Sequence, residues 1–256
     1  MLLKMLNLMV MLVKIEVNTR SVALLSIFIA IVFVFTVLVA ISIPATRGFW
    51  NIGEAGVYLA ALIGGPMIGG IAGGIGSALA DIFLGYAIYA PGTLIIKGAE
   101  GFITGSLYKI LSKEMDEKMR YAAFVIALII AVALSFVFFY FGSLVGYIDI
   151  ELASEPLGIA FSVRIHYTVL LIVVSFIAIV GIILIFWGKD TAIMVFSCLI
   201  GGMIMVVGYF LYETLIFGSS IALVEIIPNF MQAFIGIIIA IPVVKRLREL
   251  GVIDRD

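Results

Sequence analysis

The chain is dominated by long apolar runs without charge. From Ser21 to Ile43 it passes 23 residues with no Asp, Glu, Lys or Arg before Pro44 ends the run. A helix needs about 20 such residues to cross the hydrocarbon core of a bilayer. In lipid, every backbone polar group must be satisfied internally, which leaves helices and closed barrels as spanning elements. The apolar runs are uninterrupted and do not form ten-residue alternating strands, so helices are expected. Apolar residues make up 64% of the chain and charged residues 12%, against about 45–50% apolar in soluble domains.

The runs predict eight spans. Ser21–Ile43 is the first. Residues 51–89 are interrupted by Gly64-Gly65-Pro66, which predicts two short helices, about 52–64 and 67–85, joined by a tight turn. Further spans are expected at Thr93–Leu111, Tyr121–Tyr147, His166–Trp187, Thr191–Phe217 and Asn229–Val244. Residues 112–120 are strongly charged and read as a loop. Met1–Val17 is apolar but broken by Lys4, Lys14 and Glu16. It lacks a small-residue cleavage site, so a signal peptide is not expected. It reads as an interfacial or disordered cytoplasmic segment, about residues 1–20. Residues 21–248 form one membrane domain, and 249–256 a cytoplasmic tail.

Lysine and arginine set the orientation. With the N-terminus inside, twelve basic residues fall on the cytoplasmic side, Arg47 and Arg164 fall outside, and Lys97 lies within the membrane. Adding or removing one span would scramble this partition. Both ends are therefore expected in the cytoplasm, in the plasma membrane.

This topology gathers the intramembrane polar groups near one level, toward the outer side. Asn51 and Glu54 begin the second span, and Asp81 lies near the end of the third. Lys97 and Glu100 lie in the fourth, Tyr209, Tyr212 and Glu213 in the seventh, and Asn229 and Gln232 at the start of the eighth. The i,i+3 pairs Lys97/Glu100 and Tyr209/Tyr212 each share a helix face, and Glu213 joins Tyr209 at i+4. The fifth and sixth spans carry no central ionisable group and read as peripheral. Ionisable residues inside a membrane normally face a bundle interior or a water-filled site. The expectation is a concave, outward-open site for a small polar ligand with an aromatic part, with the tyrosines and Trp50 or Phe49 available for stacking. A competing reading stays open at this point. Lys97 and Glu100 would neutralise one another, Asp81 would be a structural partner of Lys97, Asn51 and Glu54 would be interfacial, and the tyrosines would be membrane-belt aromatics.

Several classes are disfavoured. The formal net charge of −1 gives no nucleic-acid footprint. One cysteine, Cys198, and one histidine, His166, exclude a disulfide framework and disfavour a metal site. No Walker A pattern occurs, so ATP chemistry would come from another chain. An autonomous ion-coupled transporter predicts inverted repeats and broken helices at the midplane, and no clear internal repeat is present. No nucleophile or metal constellation accompanies Asp81, Lys97 and Glu100, so an enzyme is not expected, and no cofactor is expected either.

Three stretches carry a family resemblance: Asn51-Ile52-Gly53-Glu54-Ala55, the glycine-rich run from Gly69 to Asp81, and Tyr89-Ala90-Pro91-Gly92-Thr93-Leu94-Ile95-Ile96-Lys97-Gly98-Ala99-Glu100-Gly101. With Gly208-Tyr209-Phe210-Leu211-Tyr212-Glu213 and Ile227-Pro228-Asn229-Phe230-Met231-Gln232, they resemble the substrate-binding S components of energy-coupling factor (ECF) vitamin transporters, the riboflavin type in particular. The resemblance covers about residues 20–112 and 190–248. It implies an all-α, six-helix membrane bundle, here with an inserted transmembrane helix pair at about 113–189. It also implies capture of a water-soluble vitamin or precursor (riboflavin, pyridoxine, thiamine or hydroxymethylpyrimidine), under the loop at about residues 44–51. The implied partners are a transmembrane T component and two cytoplasmic ATPases. Ala23, Ser26 and Ala30 on the first helix match the face that docks the T component, with Ser26 a departure from the family's alanine.

Overall fold

The computed structural model describes residues 18–43, 46–114, 147–154, 159–166 and 189–253. The N-terminal segment to residue 17, most of the expected fifth and sixth spans, and residues 254–256 lie outside the described residues. In chain order the elements are α1 (Thr19–Leu38), β1 (Ala40–Ile43), β2 (Gly48–Asn51), α2 (Gly53–Phe83), α3 (Ala90–Glu114), β3 (Tyr147–Ser154), β4 (Ile159–His166), α4 (Lys189–Phe217) and α5 (Ser219–Glu249). Thr19–Leu38, Gly53–Phe83, Asp190–Phe217 and Ile221–Glu249 are long and apolar enough to cross a membrane. The segment between Ala90 and Glu114 is poorer in large apolar residues and carries Lys97 and Glu100.

Helix α1 starts at an Asn18 cap, whose side chain accepts from Ser21 N at 2.8 Å. Its buried positions are Phe28, Val32 and Thr36, an i, i+4, i+8 stripe. Much of the rest of its surface is apolar and outward, as a helix with one face on lipid requires.

Helix α2 folds back on itself. Gly65 has φ 79° and ψ −172°, backbone that glycine adopts without strain, and Pro66 follows it. The two arms run antiparallel. A Cβ built on Gly69 would lie 2.7 Å from Ala61 Cα, and one on Gly73 would lie 3.1 Å from Val57 Cγ1. Val32 of α1 packs against both arms, at Gly56 and Gly76. The Gly-Gly-Pro interruption therefore produces a helical hairpin with arms at residues 53–64 and 66–83. Helix α3 approaches the second arm so closely that a Cβ on Gly101 would sit 2.2 Å from the Gly69 carbonyl oxygen. Small residues that admit such contact are the main means of tight helix packing in membranes. Helices α4 and α5 complete the bundle, with Tyr58, Ile193, Met194, Ile241 and Val244 in its core.

A four-stranded antiparallel sheet in the order β2-β1-β3-β4 lies at one end. Hairpin β1–β2 pairs Ala40 with Asn51 through Ile43 with Gly48. Ser42 pairs with Ala153, joining β1 to β3, and β3 pairs with β4 from Tyr147↔His166 to Ser154↔Ile159. From sequence, residues 44–51 read as a loop and residues 148–165 as the connection between two spans, so the sheet is a feature that the apolar runs do not reveal. Its signal is a period of two: Ile148, Ile150 and Leu152 alternate with Asp149 and Glu151, and Ile159, Phe161, Val163 and Ile165 alternate with smaller or polar residues.

The opposite end is tied by a polar cluster. Arg248 donates to Asp190 Oδ2 at 2.5 Å and to the Tyr108 hydroxyl at 2.6 Å, and that hydroxyl donates to Asp190 Oδ1 at 3.0 Å. Helices α3, α4 and α5 meet there.

Candidate ligand-binding site

Helical periodicity brings the polar residues of each helix onto one face. On α3 and the turn before it, Tyr89, Thr93, Lys97 and Glu100 follow one another at i, i+4, i+8 and i+11. On α5, Glu225, Asn229 and Gln232 do the same, and on α4, Tyr209 and Glu213. These faces converge beneath hairpin β1–β2, together with Asp81 from the second arm of α2. They enclose about 370 Å³ of space between atoms, mouth included, lined by Gly48, Phe49, Asn51 and the side chains just named, Glu100 excepted.

The floor is a charged triad. The Lys97 ammonium pairs with the Glu54 carboxylate from the first arm of α2, and lies 3.3 Å from Glu100 Oε2. Glu54 and Glu100 are fully buried and Lys97 is 5% exposed. Removing charges from water is costly, and close opposite charges with hydrogen bonds are what offset that cost. The ammonium also lies 5.5 Å from the centre of the Tyr209 ring, within cation–π range. The Tyr209 hydroxyl and Thr93 Oγ1 share a hydrogen bond of 3.0 Å. Polar contact thus runs from α2 through α3 to α4.

The hairpin is fastened over the cavity by side chains from below. Gln232 Oε1 accepts from Asn51 N at 3.0 Å, and Gln232 Nε2 donates to Asn229 Oδ1 at 2.9 Å. Tyr89 donates to the Thr46 carbonyl at 2.8 Å. The Thr46 hydroxyl donates to Glu225, and Gly48 N donates to Thr46 Oγ1 at 3.2 Å. Phe49 packs on Tyr86 with ring centres 4.6 Å apart. Asn51 Oδ1 accepts from Gly53 N at 2.8 Å, which sets the entry into α2.

Of the residues expected from sequence, Asn51, Asp81, Lys97, Tyr209, Glu213, Asn229 and Gln232 line the cavity. Glu54 and Glu100 stand behind Lys97 as its partners. Tyr212 lies off the cavity: its ring packs on Gly92, and its hydroxyl donates to the Ile88 carbonyl at 2.8 Å. Its role is to seat the start of α3. Sequence reasoning missed Tyr89, Thr93 and Glu225. The signal was present, since Tyr89 and Thr93 precede Lys97 by two helical turns and one, and Glu225 precedes Asn229 by one. Ala23, Ser26 and Ala30 lie on the exposed side of α1, away from its buried stripe. Among the described residues, no group of three His, Cys, Asp or Glu is placed to hold a metal ion.

The family model for the "ECF-type riboflavin transporter, S component" matches residues 16–190 and 187–249. The chain belongs to this family. The family is one of transporter S components. An uncharacterized protein from Pyrococcus woesei, named for a "gap 3'region", is 53% identical over 70 residues, which are 27% of this S component. The match spans 47% of that relative's own length. No solved structure matches the chain.

Proposed function

We propose that this S component captures a water-soluble vitamin or vitamin precursor in the cavity beneath hairpin β1–β2, for import driven by a partner ATPase. The observation that carries the reading is convergence: polar side chains from the second arm of α2, from α3, α4 and α5 meet in one pocket beneath the hairpin, with Glu54 of the first arm behind Lys97, at one end of an apolar bundle. Tyrosine walls suit a planar ring, and the carboxyl and amide groups suit its substituents.

The fold supports the rest of the assignment. The two arms of α2 count separately, so α1, both arms, α3, α4 and α5 form a six-helix bundle. We read the segment at about 113–189 as the further pair of spans expected from the sequence, for eight in all; most of it lies outside the described residues. Lys109, Lys113, Lys245, Arg246 and Arg248 lie at the end away from the cavity. By the positive-inside rule that end is cytoplasmic, and the cavity opens outward. Both termini then lie in the cytoplasm, and the protein sits in the plasma membrane. A transmembrane T component docks on the exposed α1 face of Ala23, Ser26 and Ala30, and two cytoplasmic ATPases supply the energy.

Uptake of radiolabelled vitamins by cells expressing the chain, with and without a T component and ATPases, tests this reading. Uptake that requires all the subunits is expected. Uptake by this chain alone would favour an ion-coupled transporter instead.

A further inference from the structure

The charges lining the cavity do not balance. Among the described residues, Lys97 is the one cation in the lining, and Glu54 and Glu100 already surround it. Asp81, Glu213 and Glu225 add three more carboxyl groups to the same wall. Glu225 accepts from Thr46. Asp81 Oδ2 and Glu213 Oε2 are buried without a hydrogen-bond partner among the described residues, though the two residues are only 4% and 2% exposed.

Buried acceptors left unpaired are costly, and a ligand that brings N–H donors or positive charge removes that cost. An anionic ligand gains no free counter-charge here, because the ammonium of Lys97 is taken. Tyr89 and Tyr209 line the same cavity beside these carboxyl groups.

We propose that the cavity selects a small heteroaromatic ligand bearing a positive charge or paired N–H donors, with Asp81 and Glu213 reading that group. Lys97 is then a positioning residue that holds Glu54 and Glu100 behind the pocket and receives no anion from the ligand. This inference rests on the vitamin-binding reading above and narrows it, since riboflavin itself is neutral.

Calorimetric titration of the purified full chain with three probes at one pH tests it: thiamine as a permanent cation, riboflavin as a neutral ring, and riboflavin 5′-phosphate as an anion. Thiamine is expected to bind at least about tenfold more tightly than either flavin. Asp81→Asn and Glu213→Gln should each weaken thiamine by about ten- to hundredfold, the scale of one hydrogen bond to a charged group. Thermal unfolding of each variant in detergent verifies that it remains folded. If either flavin binds as tightly as thiamine, or the two variants leave thiamine affinity unchanged, the proposal is overturned while the vitamin reading stands. If none of the three probes binds, the proposal is likewise overturned, and titration with pyridoxine and hydroxymethylpyrimidine then decides the vitamin reading: binding of either keeps it, and binding of neither overturns it.

Discussion

Lys97 is charged inside an apolar bundle because two carboxylates from different turns of the fold reach it. Removing one member of a buried ion cluster leaves the others uncompensated, which typically costs about 3–5 kcal/mol. Lys97→Met should therefore lower the thermal unfolding temperature in detergent markedly. Adding Glu54→Gln and Glu100→Gln should restore most of the loss. If Lys97→Met alone melts where the native protein does, the triad is not holding the helices together. At this scale the sequence was informative where a residue was anomalous for its surroundings. Lysine, glutamate and aspartate stand out in apolar helices, so Asp81, Lys97, Glu100 and Glu213 were legible. Thr93 and Tyr89 stand out less, because hydroxyls in membrane helices commonly bond back to their own carbonyls or sit at the interface. Thr93 and Tyr89 are in the site because of what faces them: Tyr209 for the first, the Thr46 carbonyl for the second.

Among the elements, α2 and the β1–β2 hairpin carry the most information. The α2 reversal was legible because Gly-Gly-Pro cannot sustain a straight helix. The contact between α2 and α3 was legible only as a run of glycines, whose partner emerges in the folded chain. Gly101→Ala would push a methyl group into the Gly69 carbonyl, 2.2 Å from the ideal Cβ position. That is overpacking against backbone, which cannot turn aside, and it should cost about 1–3 kcal/mol, read as a lower unfolding midpoint. The β1–β2 hairpin escaped the sequence reading because each strand is four residues long, too short for alternation to be distinctive. Its fastening is testable. Thr46→Val removes both the hydroxyl given to Glu225 and the acceptor for Gly48 N. Faster ligand release, by about tenfold for a hydrogen bond of ordinary net strength, is expected in stopped-flow measurements. An unchanged release rate would mean that the hairpin does not close the site.

Over the whole molecule, the two ends of the bundle have different tasks. One carries the sheet and the polar cavity. The other carries the Tyr108–Asp190–Arg248 cluster, which joins the three helices that supply most of the cavity wall. Asn229 and Arg248 lie on the same helix, about 28 Å apart at 1.5 Å per residue. Arg248→Met should therefore reduce thermal stability by about 1–3 kcal/mol, with a buried charged hydrogen-bond partner lost. Ligand affinity, measured by calorimetry, should stay unchanged. A large loss of affinity would mean that the ends are energetically coupled. The division into ends was legible in the amino-acid sequence, because the count of spans and basic residues constrains which groups share a level. The closeness of the five contributing segments was not, because depth along a membrane normal says nothing about lateral distance.

The central claim is that the cavity beneath the hairpin holds the transported ligand. The most direct measurement is mass spectrometry of small molecules released by denaturing the purified full chain, run beside Thr93→Trp. The indole is introduced at a position that lines the cavity, and size-exclusion elution of the variant checks that it remains folded. A water-soluble vitamin or precursor at near one per chain, absent from the folded variant, is the predicted result. The same molecule in equal amount from both proteins would contradict the assignment of the site.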